Sequence, residues 1–219
     1  MKALLLDLDG TLVDTPQAIV DVTQETLAAL GRAPVDAQQI RDGIGLPLPA
    51  ALEALLGTGP GDAAKAVEIY RVLWHKKVTP RLAQLVFPGV HQGLTELKAL
   101  GLRFAVVTGK GQEGADGTVD AAGLRPYIEV ALGYTSVKNP KPAPDLVLEA
   151  LKRMRLDADD AAVVGDATLD LEMAKAAGVR SIAVTYGAQP ERALRRSGPT
   201  WVAHSFPEVV RIASAEARL

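Results

Sequence analysis

After Pro88-Gly89 the chain takes up a rhythm that few folds can accommodate, in which short apolar runs alternate with longer stretches of helical periodicity. The runs Leu102–Val107, Val130–Gly133, Ala161–Val164, Ser181–Val184 and Trp201–Ala203 are too short for stable helices and read as strands. Between and around them, Val90–Leu100, about Gln112–Ala122, Pro144–Met154, Leu169–Ala177, Pro190–Arg196 and Pro207–Ala217 read as helices. Such alternation is the mark of βαβ units on a parallel sheet. Lys2–Leu6 is one more short apolar run; its continuity predicts a strand buried on both faces.

Between that first run and Pro88 the pattern is helical throughout. Thr15–Leu30 has a candidate cap in Thr15, Pro16 in its first turn, Gly31 as a stop, and Ile19, Val22, Thr26, Leu27 and Leu30 along one side. Further helices are expected at Asp36–Ile44, Leu48–Leu56 and Asp62–Val78, separated by the Gly and Pro clusters Gly45–Pro49 and Gly57–Gly61. The expected fold is therefore α/β: a doubly wound parallel sheet with an all-helical cap inserted after strand 1. The core would comprise residues 1–14 and 86–219, and the cap residues 15–85. A chain of 219 residues buries roughly 70% of its extended surface, enough for one core and a small second unit.

Composition removes several function classes. Lys and Arg total 24 against 26 Asp and Glu, a formal charge of -2, and aromatics are 4%, so neither a phosphate-tracking surface nor a base-stacking platform is expected. Nucleic acid is not an expected partner. The absence of cysteine excludes disulfides, thiolate catalysis and Cys-ligated metals. His75, His91 and His204 lack ligand spacing and are expected at the surface or partly buried. Asp7 and Asp9 interrupt the first apolar run and nothing approaches a membrane span, so a cytoplasmic protein without membrane contact is expected.

Ligands in doubly wound sheets bind beyond the carboxyl ends of the strands, and four such ends are polar here. Asp7-Leu8-Asp9-Gly10-Thr11 sets two carboxylates two residues apart before a glycine that lets backbone amides approach an anion. Thr108-Gly109-Lys110 offers a hydroxyl and free amides, although Thr108 also suits a helix N-cap. Lys138-Asn139-Pro140-Lys141-Pro142-Ala143-Pro144 fixes a lysine in a stiff loop before a helix; Lys141, followed by Pro-x-Pro, is preferred over Lys138. Gly165-Asp166-Ala167-Thr168-Leu169-Asp170 places Asp166 at a strand end and Asp170 in a first helical turn. If the first and Ala161 strands are neighbours, Asp7, Asp9 and Asp166 converge, and like charges so close require a cation, for which an all-oxygen site suits Mg²⁺.

These four elements, in this order, resemble the haloacid dehalogenase-like hydrolase superfamily over nearly the whole chain. Arg41-Asp42-Gly43-Ile44-Gly45-Leu46-Pro47-Leu48, Lys141-Pro142-Ala143-Pro144-Asp145 and Val164-Gly165-Asp166 to Gly178, followed by Thr185-Tyr186-Gly187, look most like its phosphoglycolate phosphatase-like subgroup. The resemblance implies Asp7 as nucleophile and Asp9 as general acid and base. It implies Mg²⁺ held by Asp7, the backbone carbonyl of Asp9 and Asp166, phosphate held by Thr108, Gly109 and Lys141, and Asp170 orienting Lys141 or a metal-bound water. Gly109 and Ala167 stand where relatives often carry Asn or Ser and Ser, respectively, so a backbone amide would replace one side-chain donor at Gly109. Arg41, before the cap loop, is a candidate substrate contact, whereas Tyr70 and Trp74, four apart, are expected to pack within the cap.

The expected function is a Mg²⁺-dependent phosphatase of a small phosphorylated metabolite, such as 2-phosphoglycolate or a sugar phosphate, acting as a monomer or homodimer. Alternatives are a phosphomutase of the β-phosphoglucomutase type, disfavoured because Asp14–Asp21 lacks a histidine, and phosphonate cleavage through Lys65, Lys76 or Lys77. Dehalogenation is least favoured by the presence of Asp9 and Asp166. A binding protein on the same fold without turnover is the alternative from another class.

Overall fold

The computed structural model describes residues 1–57 and 60–217; residues 58–59 of the expected break between two cap helices, and 218–219 of the expected core, lie outside it. Six strands form one sheet: β1 (Ala3–Leu6), β2 (Arg103–Thr108), β3 (Ile128–Gly133), β4 (Ala161–Gly165), β5 (Arg180–Val184) and β6 (Trp201–Ala203). Their order is β3-β2-β1-β4-β5-β6 and every pairing is parallel. All six expected strands are present.

Helices follow the expected order: α1 (Pro16–Ala29), α2 (Ala37–Asp42), α3 (Leu48–Leu56), α4 (Pro60–Lys77), α5 (Val90–Ala99), α6 (Gln112–Ala121), α7 (Asp145–Met154), α8 (Thr168–Ala176), α9 (Glu191–Arg196) and α10 (Phe206–Ala217). A 3-10 segment, Thr79–Leu85, links α4 back to the sheet. Among the described residues no helix is long and apolar enough to cross a membrane.

The strands alternate their side chains between two apolar layers, the period-2 consequence of a pleated backbone. Leu4, Leu6, Phe104, Val106, Val164 and Ile182 pack on one side with α5, α6 and α10. Ala3, Leu5, Ala105, Val107 and Val163 pack on the other with α7 and α8. Helix α7 shows why it lies there: Leu146, Val147, Ala150, Leu151 and Met154 fall on one helical stripe, and all are buried.

The helices between β1 and α5 have an apolar cluster of their own, built from Ala18, Val22, Leu52, Ala66, Val67, Tyr70, Val78 and Leu82. The chain leaves and rejoins the sheet side by side: Asp14 donates its amide to Leu85 (2.6 Å), Phe87 donates to Leu12 (3.0 Å), and Val13 bridges Val86 in antiparallel fashion. If this segment is a separate cooperative unit, Leu52→Ala, which empties a fully buried site, should cost about 2–5 kcal/mol within it. Hydrogen exchange should then speed up in α1, α3 and α4 while the amides of β1, β2 and β4 keep their protection. Equal acceleration in the strands would show that cap and sheet unfold as one.

Candidate active site

β1 is central, and its register sets Leu6 opposite Val106 of β2 and Val164 of β4. The residues that follow these strands therefore meet at one sheet edge. Asp7, Thr108, Lys141, Asp166 and Asp170 are all buried there. The ammonium of Lys141 lies 2.8 Å from Asp7 Oδ1 and 2.5 Å from Asp170 Oδ1, and its side chain is fully shielded from solvent. Lys138, the other lysine of the loop, is exposed. Asp166 Oδ1 accepts from the Thr11 hydroxyl (2.9 Å) and Oδ2 from the Ala188 amide (2.7 Å). Asp170 Oδ2 accepts from the Ala167 amide (3.1 Å), so both its oxygens are engaged.

One carboxylate oxygen from each of Asp7, Asp166 and Asp170 lies within 4.8 Å of the others. Three buried carboxylates against one ammonium leave an excess of negative charge, which bears on the acidities of Asp7 and Asp166. Burial pushes the Asp7 carboxyl up to about 6, with Lys141 pulling it down and Asp170 and Asp9 pushing it further up. Asp166 is held well above the usual carboxylate range by burial, then by the charges of Asp7 and Asp170, against its two hydrogen bonds. For Lys141 burial opposes the charge, yet Asp170 and Asp7 outweigh it and the ammonium stays protonated. An all-oxygen, anionic pocket of this kind fits a small hard cation such as Mg²⁺.

The Asp9 carboxylate is outside that cluster. Its Oδ1 accepts from Thr15 (2.6 Å), and its Oδ2 pairs with Lys110 at 3.0 Å. The expectation that Thr15 caps α1 is thereby corrected: its hydroxyl oxygen accepts no amide of the first turn, and the hydroxyl is instead turned to donate to the Asp9 carboxylate. Thr108 does not cap α6 either. Gly111 holds that position, and the Thr108 hydroxyl faces the cavity and accepts from the Lys110 amide at 3.3 Å.

The site opens into a cavity of about 710 Å³ floored by Asp7, Asp9 and Thr108 and walled by the helices after β1. Gly109 lets the wall come close: a Cβ there would lie 2.2 Å from the Gly45 carbonyl oxygen. Tyr70 and Trp74, expected to be packing residues, do pack on each other, with ring centroids 5.8 Å apart, but both also line the cavity. Lys110 sits 4.2 Å from the Trp74 ring centroid, joining sheet to cap over Asp9. Burial, and then Asp9's charge, raise the Tyr70 phenol well above its ordinary value.

Arg41 does not reach this cavity; its guanidinium turns to Gln17 (2.5 Å), and the arginine on the wall is Arg71. His75 also lines the wall, exposed as expected. None of Lys65, Lys76 and Lys77 is on the lining, and Lys77 pairs with Glu25. Lys110, Tyr70, Trp74 and Arg71 are cavity residues that the sequence did not single out as such. Only the (i, i+4) spacing of the two rings was visible there, and it does not tell an inward face from a wall.

A model of the haloacid dehalogenase-like hydrolase family matches residues 4–184. The chain belongs to that family. A probable phosphatase, IndB, of Dickeya dadantii is 41% identical over 222 aligned positions, covering 100% of this chain and 96% of that protein. A phosphoglycolate phosphatase of Rhodobacter capsulatus is 33% identical, covering 84% of each chain. A solved haloacid dehalogenase-like hydrolase from Streptococcus pneumoniae superposes with a TM-score of 0.82 at 26% identity, covering 97% of this chain and 98% of that one. With such relatives matched along most of its length, the chain is a haloacid dehalogenase-like phosphatase.

The charge imbalance makes stability depend on pH when metal is absent. Between about pH 4 and about pH 6, folded Asp7 keeps a proton that the unfolded chain has released, so the folded state binds more protons and its stability falls as pH rises through that window. Asp120, Glu129, Glu149 and Asp160, whose pKa values are lowered by hydrogen bonds to basic partners at the surface, act in the opposite sense at lower pH, so the comparison of wild type with Asp7→Asn sets their contribution aside. In chelator, Asp7→Asn should gain melting temperature over wild type steadily from pH 4 to pH 6, and added Mg²⁺ should erase the gain. A pH-independent difference would contradict this charge assignment.

Proposed function

We propose that this phosphatase hydrolyses a metabolite phosphomonoester with Mg²⁺, through a phosphoryl group carried on Asp7. The observation that carries the reading is the separation of the two carboxylates of the first motif. Asp7 lies in the buried cluster with Lys141, while Asp9 stands apart, held by Thr15 and Lys110. This separation supports a division of labour in which one carboxylate bonds phosphorus and the other moves a proton.

In the first step a carboxylate oxygen of Asp7 attacks phosphorus, the bond to the leaving oxygen breaks, and Asp9 gives that oxygen a proton. In the second, Asp9 takes a proton from water as the water oxygen attacks the phosphoryl group, which leaves as phosphate and restores the Asp7 carboxylate. Asp9 needs freedom from the metal cluster to do both, and its carboxylate, held by a hydroxyl and an ammonium, belongs to a residue that lines the cavity.

Lys141 and the Thr108 hydroxyl would grip phosphoryl oxygens where charge builds up, the arrangement in which preorganised donors contribute most to rate. Mg²⁺ would be held by Asp7, Asp166 and the Asp9 backbone carbonyl, and when bound it offsets repulsion between nucleophile and phosphate. Asp170 would keep Lys141 charged and aimed, and Thr11 and the Ala188 amide would fix Asp166.

Phosphate release from a generic aryl phosphate should require Mg²⁺. Asp7→Asn should lower it by at least about 10³-fold, and Thr108→Val by about 10²-fold. Release unaffected by chelator, or equal in Asp7→Asn, would overturn the reading.

A further inference from the structure

The cavity above Asp7 is far larger and more apolar than a short, charged leaving group needs. At about 710 Å³ it lies in the range of pockets that enclose drug-sized ligands. Ile19, Ile40, Leu52, Leu55 and Leu82 line it together with Trp74, and Tyr70 adds a second ring stacked on the first. Apolar side chains predominate on this wall, with Thr23, Gln39, Thr79 and Gln112 among the polar ones, so it rewards a ligand more through area removed from water than through matched charge.

The cations available to a substrate carboxylate are few. Lys110, beside the floor, is already held between Asp9 at 3.0 Å and the Trp74 face at 4.2 Å. A carboxylate arriving there would have to displace Asp9 and would meet its negative charge. Arg71 and His75, the other basic residues on the wall, are exposed to solvent. The lining thus offers a substrate carboxylate one occupied ammonium beside the floor and two solvent-exposed basic groups on the wall.

We infer that the leaving group of the physiological substrate is an extended apolar or ring-bearing alcohol, whose body rests on the Trp74–Tyr70 pair and the leucine and isoleucine wall. A two-carbon hydroxy acid such as glycolate leaves most of that wall uncovered. The inference rests on the phosphatase reading above and sharpens its substrate class. The covalent step is unchanged: the ester oxygen leaves phosphorus with a proton from Asp9, and the neutral alcohol departs.

Initial-rate measurements with Mg²⁺ on ethyl, propyl, butyl and 2-phenylethyl phosphate, with 2-phosphoglycolate alongside, test it. The alkyl esters have leaving alcohols of similar basicity, so differences among them report contact rather than chemistry. Each added methylene should raise kcat/KM by about fourfold, the transfer free energy of a buried CH₂. 2-Phenylethyl phosphate should exceed ethyl phosphate by more than the butyl ester does, and should exceed 2-phosphoglycolate. Trp74→Ala should lower the ratio of 2-phenylethyl to ethyl turnover by about tenfold, and Trp74→Phe should keep most of it.

A flat alkyl series, or 2-phosphoglycolate as the best substrate of the set, would overturn the inference while leaving the phosphatase reading intact. An unchanged ratio in Trp74→Ala would also overturn it. No release from any ester would sink both.

Discussion

The buried ammonium of Lys141 is the contact on which the site depends. Asp7 and Asp170 cannot share a dry sheet edge as anions without it, since each carboxylate there raises the other's cost of ionisation. A buried ion pair is weak evidence of net stability, because taking the charges out of water costs as much as their attraction returns. Its value here is positional. One ammonium meets two carboxylates from two different elements, so the loop before α7, the end of β1 and the start of α8 are held to one point. With Asp166 added, the cluster still carries more negative than positive charge, and that residual charge is what a divalent cation would offset.

The sheet order explains why residues so far apart in sequence meet. β1 lies between β2 and β4, so Asp7, Thr108 and Asp166 stand at the carboxyl ends of three adjacent strands in register. The turn after β1 must then bend tightly over Asp166. Gly10 has φ +79°, and a Cβ on it would stand 2.1 Å from Asp166 Oδ2, so the glycine of the first motif serves the carboxylate of the fourth. The motif spacing that looked like anion chemistry in the sequence is also a packing requirement across the sheet.

The fold was legible because its signals are local. A strand buried on both faces has to be a short continuous apolar run, and a helix on a sheet has to show one apolar stripe, so β1 and α7 are visible without knowledge of their partners. The carboxylates and Lys141 were legible because each follows a strand and topology does the rest. Thr15 misled because capping is a local inference, and the Asp9 oxygen that claims its hydroxyl comes from the turn before it. Arg41 misled for a similar reason: lying next to a loop that faces the core does not say which way a long side chain extends, and Gln17 of α1 takes it. The approach of Lys110 to Trp74 joins β2 to α4, and no periodicity within either segment encodes it.

That approach ties the wall of the cavity to its chemistry. The two oxygens of Asp9 are held from two sides, one by Thr15 at the start of α1 and the other by Lys110, which also rests against α4. Asp9 therefore takes its orientation from the same helices that surround the leaving group. The cation on the Trp74 ring gains from exclusion of water, since its attraction to the ring and to Asp9 both strengthen as the local dielectric falls. A leaving group that fills the apolar wall expels that water. In the proposed reaction the ligand and the carboxylate that would protonate it are set by one body of side chains, so the shape of the cap, more than the charge of the floor, would decide which ester is turned over.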